Sequence, residues 1–153
     1  MRIAIGADHA GYILKDEIVK ALQIDGHEVL DLGTCGPEPV DYPKYAVAVG
    51  NAVRNGEAER GILVCGSGVG VAVAANKLRG IRAGLCHDSY SAHQSVEHDD
   101  VNVLCLGPRV IGDSLAMDLV HIWLNAKYSG AERHVRRLAA IAEIEKSEME
   151  VNG

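Results

Sequence analysis

The chain of 153 residues contains no phenylalanine and one tryptophan, and aromatic residues make up only 4% of it. Its core must therefore be built from valine, isoleucine, leucine and alanine. An excess of positive charge is also missing, because the net charge is −6, and this argues against nucleic acid or an anionic membrane as a partner. No stretch approaches the ~20 apolar residues that span a bilayer, and the first residues lack the apolar run of a signal peptide.

The four cysteines, at positions 35, 65, 86 and 105, show no C-x-x-C spacing. A domain of this length buries roughly 70% of the surface of its unfolded chain and needs no disulfides to hold its core. We predict free thiols in a cytoplasmic protein. Cys86 and Cys105 fall inside apolar runs, so we expect them to be small buried residues rather than reactive ones.

Short apolar runs alternate with amphipathic segments along the chain, a pattern typical of parallel α/β sheets. It predicts one domain over residues 1–153, a Rossmann-like three-layer sandwich with a five-stranded parallel sheet. A long loop is expected over 33–43, and a last helix from about 131 becomes a charged tail from about 145. The predicted strands are 2–7, 28–32, 60–65, 82–86 and 102–106.

The third run leads into Cys65-Gly66-Ser67-Gly68-Val69-Gly70, followed by a helix expected to begin at Val71. Glycines at a strand-to-helix turn let the backbone approach a ligand and direct N–H groups at an anion or a developing oxyanion. The spacing matches neither the dinucleotide fingerprint nor the phosphate-binding P-loop, so no nucleotide cofactor is predicted. Alternatively, the loop is only a tight connection.

Other polar residues also border the predicted strands. Asp8 and His9 follow the first strand, His98 and Asp99 precede the fifth, and Arg109 follows the fifth. We expect these loops to converge with the thiol at the carboxyl edge of the sheet, where open α/β sheets bind their ligands. Taken singly, each residue has an alternative role as a helix cap or surface group.

One dense basic cluster stands out in this acidic chain, formed by Arg133, His134, Arg136 and Arg137. Arg133 and Arg137 share one face of a predicted helix and could hold a phosphate between them. The alternative is a solvated, basic helix face.

Taken together, these segments resemble ribose-5-phosphate isomerase type B and its sugar-phosphate isomerase relatives, over nearly the whole chain to about residue 145. The resemblance implies a cofactor-free, metal-free aldose–ketose isomerase. It also implies a homodimer or dimer of dimers with sites shared between chains and a C-terminal helix used in dimerisation. The motifs that carry it are Gly6-x-Asp8-His9-Ala10-Gly11, Asp41-Tyr42-Pro43, the Cys65–Gly70 loop with Ala74-Ala75-Asn76-Lys77, Gly80-Ile81-Arg82-Ala83, and His98-x-Asp100-x-Asn102-Val103-Leu104.

The resemblance also implies a role for each site residue. Cys65 would move a proton between C1 and C2 through a cis-enediolate, Ser67 would assist transfer between O1 and O2, and His98 would open the sugar ring. A family branch that lacks this cysteine uses a glutamate where this chain has Val71. The implied substrate-binding residues are Asp8 and Asp99 at the sugar, the backbone of Gly66, Gly68, Val69 and Gly70 at the enediolate, and Arg109, Arg133 and Arg137 at the phosphate with His9 and His134 nearby.

The sugar itself stays open. Relatives act on ribose 5-phosphate, allose 6-phosphate or galactose 6-phosphate, and the last group works as two unlike subunits. Family members usually have asparagine where this chain has Asp99, and an ionised carboxylate accepts hydrogen bonds without donating them. The alternative from another class is a non-catalytic module that binds a phosphosugar or nucleotide, in which Cys65 would be incidental.

Overall fold

The computed structural model describes residues 1–150. Five strands alternate with helices, and α6 follows α5 at the end of the chain. The elements are β1 Arg2–Ala7, α1 Tyr12–Ile24, β2 Glu28–Asp31, α2 Tyr42–Arg54, β3 Arg60–Val64, α3 Val69–Ala75, β4 Ala83–Leu85, α4 Ser89–Asp99, β5 Val103–Leu106, α5 Asp113–Asn125 and α6 Glu132–Glu150.

The five strands form one parallel sheet, as predicted, in the order β2-β1-β3-β5-β4. Each predicted strand is present, with ends that differ by at most one residue. Three helix ends differ more. The helix after the glycines begins at Val69 instead of Val71, the long loop ends at Asp41 because α2 begins at Tyr42, and α6 continues through the predicted tail to Glu150. The rest of that tail lies outside the described residues.

Side chains of the inner strands alternate between two apolar cores, as the two-residue period of a strand requires. Ile62 and Val64 pack with α1, α4 and α5 on one face, whereas Leu63 and Cys65 pack with α2 and α3 on the other. All four cysteines are unpaired, and Cys86 and Cys105 are buried, as expected. None of the described helices is long and apolar enough to cross a membrane.

The neighbouring strands β1 and β3 send their following helices to opposite faces of the sheet, since α1 and α3 pack on different cores. A crevice opens at such a switch point, at the carboxyl ends of the strands. The turn after β1 closes tightly on β3, with Asp8 N donating to Val64 O at 3.1 Å. A Cβ on Gly11 would lie 2.4 Å from the same carbonyl oxygen, so this approach requires glycine.

Lys15 is fully buried and joins α1 to the end of β2 through ion pairs. The Lys15 ammonium lies 2.7 Å from Asp16 and 2.9 Å from Asp31, whose carboxylate also accepts from Gly33 N. The chain then returns to β1, where Ala7 N donates to Gly33 O. Burial alone would lower the pKa of Lys15, but the hydrogen bonds and negative charges of the two aspartates together raise it above its ordinary value.

We expect Lys15→Met, which keeps most of the side-chain volume but removes the charge, to lower the free energy of unfolding by about 1–3 kcal/mol. Lys15→Ala also leaves a cavity, and we expect it to cost about 3–5 kcal/mol. Urea denaturation of both variants measures these values, and their difference reports the packing of the lysine stem. A Lys15→Met protein as stable as the parent would rule out a stabilising role for the ion pairs.

Candidate active site

The buried thiol Cys65 lies directly after β3, at the switch point of the sheet, with only 5% of its surface exposed. The next residues turn sharply into α3. Ser67 is exposed at the tip of this turn, and its hydroxyl oxygen accepts a hydrogen bond from Val69 N at 3.3 Å. The helical hydrogen bonds of α3 begin at Ala72, whose N–H donates to Gly68 O. Apart from that of Val69, the backbone N–H groups of the turn before Ala72 are therefore available to a ligand.

Two glycines are needed for this turn. Gly68 has a φ of 80°, and a Cβ there would lie 2.7 Å from Leu85 Cδ1 and 2.9 Å from the Leu106 carbonyl carbon. Gly107, after β5, lies so close to Ser67 that a Cβ would be 2.2 Å from the serine carbonyl carbon. The turn is thus wedged against the end of β5.

A positive charge lies beside the turn. Arg109 N donates to Gly66 O at 3.0 Å, and its guanidinium Nη1 lies 3.1 Å from the point where a Gly66 Cβ would stand. A larger residue at this position would push the guanidinium away from the turn. The arrangement places a cation and a set of N–H donors next to the buried thiol, so it can stabilise a negatively charged oxygen.

Asp8 and His9 lie across the crevice from the thiol. Asp8 is buried, and its Oδ1 accepts from Ala10 N and Gly11 N at 2.9 and 3.0 Å. His9 Nδ1 accepts from Val40 N at 3.2 Å, which ties the long loop to the site. We call Asp8, His9, Cys65 to Gly70 and Arg109 the thiol cluster.

Tyr42 contacts the thiol cluster and His87 supports it through Gly107, and neither was predicted as a site residue. The Tyr42 ring lies against Gly70, where a Cβ would be 2.7 Å from a ring carbon. His87 Nε2 accepts from Gly107 N at 3.0 Å and so supports the glycine that wedges Ser67. Tyr42 belongs to the Asp41-Tyr42-Pro43 motif, and an aromatic ring in a chain poor in aromatics could have marked it as a candidate site residue. No feature of the sequence around His87 indicates its contact with Gly107.

A second cluster forms where α4 ends and α6 begins. His98 lies in the last turn of α4, and its ring stacks on His134 of α6 with centroids 4.1 Å apart. His134 is buried, and its Nδ1 lies 2.8 Å from Ser129 Oγ. Burial lowers the pKa of His134, and the nearby positive charges of His98, Arg133 and Arg137 lower it further.

Arg133 and Arg137 are exposed on α6 beside this stack. Arg136 pairs with Glu132 at 3.2 Å, but neither Arg133 nor Arg137 has an acidic partner within residues 1–150. Asp99 is exposed at the end of α4. We call His98, Asp99, Arg133, His134 and Arg137 the histidine–arginine cluster, whose unpaired positive charge suits an anion.

The expected convergence of all these loops at one edge of the sheet is wrong for a single chain. His98 and Asp99 end a helix that runs back from the carboxyl end of β4, so they lie at the amino edge, before β5. Cys65 lies at the carboxyl edge, where its N–H donates to Leu106 O. Because β5 has four residues, the two edges are about 13 Å apart along the strand.

No group of three or more His, Cys, Asp and Glu side chains within residues 1–150 is arranged to hold a metal ion. The groups that the two clusters contain are a thiol, a hydroxyl, three imidazoles, carboxylates, guanidinium groups and backbone N–H donors. These are acid–base and anion-binding groups.

Comparison with known proteins identifies the family. Residues 3–141 match the model of the Ribose/Galactose Isomerase family. This chain belongs to that family. It is 52% identical to ribose-5-phosphate isomerase B of Escherichia coli, over 95% of this chain and 97% of that protein. The family members are aldose–ketose isomerases, and this chain is one of them.

The family fold is matched closely by a solved structure. Ribose-5-phosphate isomerase B of Clostridium thermocellum superposes with a TM-score of 0.95 at 51% identity, over 97% of this chain and 99% of that one. Another relative is a D-erythrulose-4-phosphate isomerase of Mycolicibacterium smegmatis, 44% identical over 84% of this chain and 86% of that protein. Related proteins therefore act on sugar phosphates of different length.

The hydrogen bond from Gly107 to His87 predicts a pH dependence. Burial lowers the pKa of His87, so the folded protein binds this proton less readily than the unfolded chain does. The stability that neutral His87 contributes should be fully present above about pH 6.5, the ordinary histidine pKa. It should be lost as the pH drops toward the lower pKa of the folded protein. Urea denaturation at pH 7.5 and 5.5 measures the loss, and His87→Asn should reduce it.

The matched control is His93→Asn, since His93 is exposed on α4 and pairs with Glu97. If the two variants lose the same stability between the two pH values, His87 is not the titrating group.

Proposed function

We propose that this protein interconverts ribose 5-phosphate and ribulose 5-phosphate through a cis-enediolate, with Cys65 as the base that moves the proton between C2 and C1. The observation that carries the proposal is the buried thiol at the switch point, next to N–H donors and a guanidinium. The names of the two relatives at 51–52% identity support the choice of substrate.

The carbon chemistry fits the thiol cluster. Cys65, as thiolate, takes the proton from C2 of the open-chain aldose, and negative charge develops on O1. The N–H groups of the turn stabilise that charge. The Ser67 hydroxyl passes a proton from O2 to O1, and Cys65 returns its proton to C1, which leaves a carbonyl at C2. Val71 has a hydrocarbon side chain, so its position offers no alternative base.

Ring opening is assigned to His98. The bond between C1 and the ring oxygen breaks toward that oxygen, which takes a proton from His98, and the proton of the O1 hydroxyl passes to water as C1=O1 forms. Asp8 has one carboxylate oxygen committed to Ala10 and Gly11, and its other oxygen is placed to accept from a sugar hydroxyl. Asp99 would accept from a hydroxyl on the other side of the sugar.

The phosphate is assigned to the arginines and neighbouring histidines. Arg133 and Arg137 lie one helical turn apart on α6 without acidic partners in the described chain, and His134 lies between them in sequence. Charge-assisted hydrogen bonds to a phosphate dianion suit this arrangement. Arg109 lies on the thiol side, and His9 is also placed there, so both would reach the phosphate across the site.

The two clusters lie at opposite edges of one sheet, so we propose that a second copy of the chain completes each site. The thiol cluster would come from one chain and the histidine–arginine cluster from the other. The exposed face of α6 supports this arrangement. Of its 19 residues only His134 is buried, while Val135, Ile141 and Ile144 are 48–64% exposed. A helix with so few contacts gains little stability from its own chain and is suited to a partner.

We expect Cys65→Ala to abolish isomerisation of ribose 5-phosphate, with kcat at least ~10²-fold lower, because the base that moves the carbon-bound proton is removed. The measurement is formation of ketopentose in the presence of a chelator, with the parent protein tested in parallel on allose 6-phosphate, galactose 6-phosphate and erythrose 4-phosphate. Unchanged urea denaturation and phosphosugar binding are the controls for folding. Near-normal turnover by Cys65→Ala would refute the assignment of the base, and a stronger preference for another sugar would refute the substrate.

Complementation tests the shared site. Cys65→Ala and Arg137→Ala each remove a group from a different cluster, so a mixed dimer has one site with both groups intact. After subunit exchange, the mixture should recover about a quarter of the parent activity, since half of the dimers are mixed and each has one intact site of two.

The control mixes Cys65→Ala with Ser67→Ala, which both affect the thiol cluster and leave no intact site in any dimer. If exchange is demonstrated by differently tagged chains and the first mixture stays as inactive as its components, each chain builds its site alone.

A further inference from the structure

Gln94 is one turn before His98 on α4 and has no part in the chemistry described above. Its side-chain amide Nε2 lies 3.0 Å from His98 Nδ1. Gln94 is half-buried, and residues four apart on a helix face the same side, so the contact is built into the helix.

The imidazoles of the stacked pair are held in the same way. His134 Nδ1 lies 2.8 Å from Ser129 Oγ, and Ser129 N donates to Glu97 O of α4 at 3.0 Å. Each ring thus has its Nδ1 engaged by a neighbour within the chain. In both rings Nε2 is the nitrogen left to a ligand.

We propose that Gln94 is a positioning residue for ring opening, which holds His98 by Nδ1 so that Nε2 alone exchanges a proton with the sugar. This inference rests on the proposed function, because it concerns the ring-opening step of the same reaction.

A glutamine suits both protonation states of the histidine. When the ring is neutral, the amide NH₂ donates to Nδ1; when the ring is protonated, the amide turns over and its oxygen accepts from Nδ1–H. The ring orientation stays the same in both states. A leucine would leave Nδ1 unsatisfied and the ring free to rotate, and a glutamate would favour the protonated ring.

Charged groups reach the pair from two elements. Asp99, on α4, adds negative charge, whereas Arg133 and Arg137 on α6 add positive charge around His134. Glu97, also on α4, has a carboxylate oxygen 2.7 Å from His93 Nε2. These groups are unchanged in variants of Gln94, so differences among such variants report the contact with Nδ1.

The first test is Gln94→Leu in the full-length protein. We expect kcat with ribose 5-phosphate to fall roughly three- to tenfold, part of the ~10²-fold that positioned proton transfer contributes. With ribulose 5-phosphate, kcat should change less than about twofold, because open-chain product can leave and close its ring in water. Equal losses of kcat in both directions, or none, would overturn the proposal.

The second test uses charge and does not depend on turnover. Gln94→Glu should raise the pKa of His98, followed by NMR of the ring Cε1–H, by about one unit, because a carboxylate stabilises the imidazolium. The acidic limb of kcat against pH for ribose 5-phosphate should move by the same amount. The control His93→Glu places the same charge on the exposed side of α4, and an equal shift there would overturn the contact.

The NMR titration also separates this proposal from the proposed function. If Cys65→Ala remains active but Gln94→Glu shifts the His98 pKa as expected, the carbon chemistry is misassigned and the Gln94 contact stands. If Cys65→Ala is inactive and the titration of His98 is the same in both glutamate variants, the Gln94 proposal alone fails.

Discussion

The parallel direction of the strands is the constraint on which the rest of this structure depends. All five carboxyl ends meet at one edge, and every helix that follows a strand must return to the other. Residues that follow β1, β3 and β5 therefore gather around Cys65, and residues at the end of α4 are carried away from it. The separation of the two clusters is a consequence of topology, and no side-chain rotation within the chain can remove it.

Much of the fold was predictable, because its signals are local. Short apolar runs between glycines and polar residues locate the strands to within one residue. The turn at Cys65 was equally visible, since a thiol at the end of an apolar strand followed by alternating glycines needs no distant information. The start of α3 was harder to predict, because Gly68 precedes the helix with a positive φ, in a space that Leu85 and Leu106 leave too small for a side chain.

The missed features depend on contacts between distant parts of the chain. The position of His98 just before a predicted strand indicated that it borders the sheet. Whether it lies at the amino edge or the carboxyl edge depends on the direction of α4, the helix that contains it. That direction follows from the alternation of strands and helices along the chain. Tyr42 meets Gly70, and His87 meets Gly107, only after α2 and α4 have docked on the sheet. A hydrogen bond between residues 20 positions apart leaves no periodic trace in a sequence.

Under the proposed function, the last helix would link catalysis to dimer assembly. Within its own chain α6 is attached by the stack of His134 on His98 and by Glu145, which accepts from Gly80 N at 2.8 Å. The same first turns present Arg133 and Arg137, while the apolar residues farther along are exposed. If a second copy covers that face, the burial that would hold the dimer would also fix Arg133 and Arg137, the arginines proposed to bind phosphate, relative to the thiol of the other chain. Neither Arg133 nor Arg137 has an ion pair within the described chain that would orient it. Their position across the interface would therefore depend on the packing of the apolar residues farther along α6.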